Sequence, residues 1–155
     1  MVSRVRRHLS FVDVRVPSDA DGTRTRPSMV ERLITLHVRP EALDVDRSGC
    51  RFIINERDAS AFTAALANDR AAVTVRAGCA RIALTRTATD WPLPPLDRLL
   101  LAMNGAGIDI VHLNGDATSM TIVVDEHDAD RVVSLLSCAY QRPAAVAPPA
   151  AHAVA

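Results

Sequence analysis

The chain contains no lysine; all 18 of its basic side chains besides histidine are arginine. That excludes a catalytic lysine, whether as a Schiff-base former or as a phosphate ligand. Aromatic residues are almost as scarce, three Phe, one Tyr and one Trp making 3% of the chain, so a core has to be built from Val, Ile, Leu and Ala. No run of 18 apolar residues occurs, which leaves no candidate for a membrane-spanning helix. The opening MVSRVRRHLSFVDVRV loses its apolar run at Asp13 and Arg15, too early for a secretory signal. Cys50, Cys79 and Cys138 are odd in number and form neither a C-x-x-C pair nor a metal-ligand spacing with histidine. Free thiols in a reducing, cytoplasmic setting are expected, with no metal and no cofactor. An excess of either charge is also missing, since 18 acidic residues balance the 18 arginines. A nucleic-acid partner, which calls for a basic patch, is not expected.

What the chain does have is apolar periodicity. Hydrophobic residues make up 48% of 155 positions, enough for one ordinary domain or two small ones. Leu96, Leu99, Leu100 and Met103 recur at helical spacing, and Gly105 and Gly107 follow as terminators. Ile108, Ile110 and Val111 open a strand, Asn114-Gly115-Asp116 supplies turn residues, and Met120–Val124 reads as a β-branched return strand. Asp125–Asp128 offers carboxylates to the start of a helix whose Ala129, Val132, Val133 and Leu136 share a face. Just upstream, Cys79–Arg86 alternates as a strand.

The same order appears once more, about 70 residues earlier. Ile53-Ile54-Asn55-Glu56-Arg57-Asp58-Ala59 falls on Val123-Val124-Asp125-Glu126-His127-Asp128-Ala129, Val12 and Val14 on Ile82 and Leu84, Leu33 on Met103, Val38 on Ile108, and Phe62 and Leu66 on Val132 and Leu136. The first unit then reads as a strand over 9–16, a loop over 18–28 and a helix over 29–36 capped by Ser28 with Glu31. An edge or irregular segment follows over 38–46, weakened by Pro40, then a strand over 50–55, a helix over 58–68 and a linking strand over 72–76 that turns at Ala77-Gly78. The expected fold is α+β: two ferredoxin-like βαββαβ units, residues 1–76 and 77–141, each an antiparallel sheet with helices on one face. Residues 142–155, rich in Ala and Pro, are expected to be a disordered tail.

The second unit resembles the ACT domains paired at the regulatory end of aspartate kinases. The resemblance is carried by Ala106-Gly107-Ile108-Asp109-Ile110, by Thr121-Ile122-Val123-Val124-Asp125-Glu126 and by Asp128-Ala129-Asp130-Arg131-Val132-Val133. Val73–Leu84 is similar to that family's link between its two modules. It extends through the repeat over about residues 9–140. What it implies is a regulatory module, not an enzyme, that binds a small molecule, usually an amino acid, where two ACT units meet. Carried over residue by residue, the ligand site falls on Asp90, Trp91 and Leu93 in the loop over 86–95 and on Gly107, Ile108 and Asp109 at the following strand start. Amides at a helix N-terminus would receive a carboxylate and Asp109 an ammonium group. The resemblance also implies a homodimer or association with an amino-acid biosynthetic enzyme. The kinase domain's lysines and length are absent, so the chain is expected to be the regulatory part by itself.

Other residues carry plainer readings. Asp125, Glu126, Asp128 and Asp130 suit a helix N-terminus better than a metal, His112 and His127 have no nucleophile or carboxylate at catalytic spacing, and Arg4, Arg6 and Arg7 read as a solvated arm. The loop Trp91-Pro92-Leu93-Pro94-Pro95 lacks the family's glycine. The alternative function is therefore an ACT-derived dimerisation module whose ligand site has decayed.

Overall fold

The structure, a computed structural model of the chain, describes residues 2–15, 22–46, 48–67, 71–85, 96–116 and 118–140. In chain order these are β1 (Val2–Arg15), α1 (Gly22–Thr35), β2 (Ala42–Asp46), β3 (Gly49–Asn55), α2 (Glu56–Leu66), β4 (Ala72–Thr85), α3 (Leu96–Gly105), β5 (Ile110–Gly115), β6 (Ser119–Asp125), a 3-10 turn (Glu126–Asp128) and α4 (Ala129–Tyr140). All strand pairs are antiparallel, in one six-stranded sheet of order β2-β3-β1-β4-β6-β5. The fold is α+β, as expected, with Pro40 preceding an edge strand. The expected tail and the loop over 86–95, with Asp90, Trp91 and Leu93, lie outside the described residues.

The helices cover one face. On it Val12, Val14, Phe52 and Ile54 pack with Met29, Leu33, Phe62 and Leu66 in one core, and Ile82, Leu84, Ile122 and Val124 pack with Leu99, Met103, Val132 and Leu136 in another. Each such fully buried side chain contributes about 1.5–3 kcal/mol. Period-two alternation along the strands delivers these residues to the helices and sends their neighbours to the opposite face. There Leu9, Ile53, Cys79 and Val123 form a third buried cluster that takes no residue from any described helix.

The helix-free face is buried because the sheet bends. Five strand spacings of about 4.8 Å would put β2 and β5 roughly 24 Å apart in a flat sheet. Instead, Asp44 of β2 lies 2.6 Å from Nε2 of His112 in β5 and accepts a hydrogen bond from Asn114 at 2.5 Å. The hinge is a matched pair of bulges in the two long central strands. Arg7-His8 opposes Ala80 and Ala77-Gly78 opposes Ser10, with His8 at φ 57° and Gly78 at φ 65°. A shift of 70 residues carries one bulge onto the other, and Leu9 onto its own partner Cys79.

Several boundaries differ from those expected. The strand begins at Val2, not residue 9, because Val2–Arg6 pairs with Arg81–Thr85 and supplies the hydrogen-bond partner that this side of β4 would otherwise lack. Arg6 and Arg7 are consequently not a solvated arm: Arg6 pairs with Glu41 at 2.8 Å and Arg7 with Asp130 at 2.7 Å. The first helix starts at Gly22, which places Ser28 inside it and not at its cap. β4 runs unbroken through Ala77-Gly78, the glycine making a bulge where a turn was expected. The second hairpin turns at Asp116, after Asn114-Gly115, where the Asp116 carboxylate accepts bonds from the Thr118 and Ser119 amides at 2.6 and 2.8 Å.

Candidate functional site

Of the six residues that the sequence nominates, Gly107, Ile108 and Asp109 are described, and they form the turn leaving α3. The chain reverses at Gly107 with φ 66°, a left-handed conformation that glycine adopts freely. The Ile108 amide donates to Met103 O at 2.9 Å and that of Gly107 to Asn104 O at 3.0 Å, closing the helix. Ile108 is buried in the second core. Its role here is to pin the turn, while Asp109, with its side chain 70% exposed, is thrown outward.

Asp109 does not stand alone. Arg76, from the middle of β4, donates from Nη1 to Asp109 Oδ2 at 3.0 Å and forms a two-pronged pair with Asp125, Nε to Oδ1 at 3.1 Å and Nη2 to Oδ2 at 2.7 Å. The Asp125 carboxylate, and after it Asp109, holds the guanidinium above its ordinary pKa. On the other side of the turn Arg131 donates to Ala106 O and pairs with the buried Asp128. The turn is thus braced by two arginines, and Asp109 keeps one carboxylate oxygen beyond the Arg76 bond.

The acidic cluster at the start of the last helix is spent on such bracing. Asp125 takes Arg76, Asp130 takes Arg7, Asp128 takes Arg131, and Glu126 Oε2 accepts the His8 amide at 3.0 Å. Asp125 occupies the N-cap position at φ −61° and ψ 142°, yet its side chain makes no capping bond. The helix-start reading was right about position and missed what the carboxylates bind. Arg76 and Arg131 were missed because nothing local marks them; only the register of β4 against β6, Cys79 opposite Asp125, brings Arg76 there. His112, read as a lone histidine, is also partnered: it is 12% exposed, pairs with Asp44 and stacks on Phe11 at 5.3 Å between ring centroids.

Among the described residues no three His, Cys, Asp or Glu side chains are grouped to hold a metal ion, and no helix is long and apolar enough to cross a membrane.

No protein-family model and no curated protein sequence matches the chain. Solved structures do. A putative C-terminal regulatory domain of aspartate kinase from Porphyromonas gingivalis W83 superimposes with a TM-score of 0.70 over 91% of this chain and 97% of that one, at 14% identity. The aspartate kinase of Clostridium acetobutylicum, described as an allosteric enzyme, matches with a TM-score of 0.74 over 89% of this chain, at 9% identity. E. coli aspartokinase III in complex with lysine and aspartate matches with a TM-score of 0.63 over 92%, at 12% identity. The chain spans 34% and 33% of those two enzymes, about a third of each, and nearly the whole of the isolated regulatory domain. At these identities the likeness is one of fold, and the fold is that of the ACT-containing regulatory region of aspartate kinases.

Proposed function

We propose that the chain is a non-catalytic regulatory module made of two ACT units, residues 1–76 and 77–141, which binds an amino acid where two units meet. In this reading β1 serves both: Leu9–Arg15 opens the first unit and Val2–Arg6 crosses over as the outer strand of the second. The carrying observation is the superposition on a C-terminal regulatory domain of aspartate kinase over nine-tenths of both chains. The turn at Gly107–Asp109 supports it, because an exposed carboxylate beside the Arg76 cation offers opposite charges to the two ends of a zwitterion. Asp90, Trp91 and Leu93 complete the proposed site. Ligand binding would act by favouring one packing of the paired units over another, in a homodimer or on an amino-acid biosynthetic enzyme.

The test is calorimetry and thermal shift against the proteinogenic amino acids. One of them should raise the melting temperature, and Asp109→Ala should abolish the shift. A second reading, a dimerisation module without a ligand, is favoured by α3, where Leu96 and Leu100 are exposed and Leu101 is 70% exposed. No shift with any amino acid, together with a dimer that dissociates in Leu101→Glu, would decide for it.

A further inference from the structure

At one of the places where the 70-residue correspondence between the halves fails, a cleft opens. In the second half Arg7 lies along the start of the last helix, donating to the Glu126 carbonyl at 3.1 Å and to Asp130 at 2.7 Å. Beneath it Val5 is half-buried against the second core. Seventy residues on, the counterpart of Arg7 is Ala77, that of Val5 is Val75, and those of Glu126 and Asp130 are Glu56 and Ser60. With no long side chain at Ala77, Val75 is 39% exposed, and a cleft of about 510 Å³ opens between β4 and α2. That is within the size range of sites for small ligands.

The walls of the cleft are unfinished in a particular sense. Ser10, fully buried, lines it and its Oγ has no hydrogen-bond partner among the described residues. A buried hydroxyl left unsatisfied is costly, and a ligand or water that bonds to it recovers that cost. Glu56 lies at the rim and makes no ion pair with any described residue, whereas its counterpart Glu126 is occupied by His8. The floor is Ala59, Ala64 and Val75, suited to a methylene chain.

We propose that this cleft binds the alkylguanidinium of an arginine that none of the described residues supplies. The guanidinium sits against the Glu56 carbonyl and Ser60 as that of Arg7 sits against the Glu126 carbonyl and Asp130, with the Glu56 carboxylate beside it and the methylenes covering Val75. Ser10 Oγ accepts from the guanidinium or from a water it retains. The inference rests on the internal correspondence and not on the proposed site at Asp109, which lies in the other half.

The experiment is titration of the full chain with free L-arginine, N-acetyl-L-arginine amide and L-citrulline, the last matching arginine in shape without its charge. Expected is saturable binding of one or both arginine compounds and none of citrulline. Glu56→Gln should weaken it about tenfold. Ala77→Arg, which supplies the missing side chain in place, should abolish it and raise the melting temperature, while Asp109→Ala leaves it unchanged. Preference for the free amino acid assigns a metabolite; equal binding of the amide assigns an arginine on a partner protein. The proposal is overturned if neither compound binds, if citrulline binds equally, or if binding survives Ala77→Arg in a variant whose circular dichroism is unchanged. Loss of binding in Asp109→Ala would instead place the arginine at the turn after α3.

Discussion

Arg76 shows how a single side chain joins distant segments, since Asp125 and Asp109 meet only through it. Its side chain is 40% exposed, so solvent screens the pairs. Arg76→Ala should cost about 1 kcal/mol in chemical denaturation. It should also raise the hydrogen-exchange rate of the Ile108 amide, which sits in the turn that it braces. The two Asx turns give a pH prediction. Ser48, through its hydroxyl and amide, holds the Asp46 carboxyl down to about 2, and Thr118 and Ser119 lower Asp116 in the same way. A carboxyl with a folded pKa below its unfolded value of about 3.9 stabilises fully above that value and loses its contribution as pH falls through the folded one. Stability should therefore fall between about pH 4 and pH 2, with a shallower acid limb in Asp46→Ala. The thiols differ as well: burial pushes Cys79 up, Cys50 is buried and Cys138 is exposed. One thiol should react quickly with a disulfide reagent in the native protein, and Cys138→Ser should remove that phase.

The elements were legible in proportion to their locality. The elements of the second half were legible from periodicity and those of the first from lining up residues 53–59 with 123–129, apart from Val2–Arg6 and the first turns of α1. What escaped were features created by pairing. Gly78 looked like a turn because glycine marks one; in the sheet it takes the extra residue of a bulge, as His8 does at the same point of β1. Glycine substitutions separate the two kinds of constraint. A Cβ at Gly78 meets nothing within 4 Å, so Gly78→Ala should cost only the left-handed penalty, about 1–2 kcal/mol. One at Gly49 would lie 1.9 Å from the Val14 carbonyl oxygen, a backbone clash that neither strand can relieve, and Gly49→Ala should be the more destabilising in urea. His8→Gly should stabilise, since it removes a left-handed strain and keeps the amide that bonds Glu126.

At the scale of the molecule, the bend brings the ends of the sheet together and encloses the cluster of Leu9, Ile53, Cys79 and Val123. The clasp that holds it is Asp44 with His112 and Asn114, backed by Phe11 on the histidine ring. Asp44 and Asn114 are 70 residues apart in the chain, so the clasp ties the two edges of the sheet across a long separation. Removing His112, at 12% exposure, would leave Asp44 short of a partner and Phe11 uncovered; His112→Ala should lower stability by about 1–3 kcal/mol and speed exchange in β2 and β5 first.

From the residues alone came the α+β class, most of the buried helix positions and the resemblance to aspartate kinase regulatory domains, because alternation and helical spacing are local and survive divergence. Leu96 and Leu100, read into an apolar face, are exposed. Left to the tertiary structure were the crossing of Val2–Arg6 to the far half, the closure of the helix-free face, the arginine braces around Asp109 and the cleft beside Ala77. Each depends on which residues a strand register and a bend place side by side. A chain read one residue at a time carries no distance between Arg76 and Asp125, or between Asp44 and His112, until the sheet has formed.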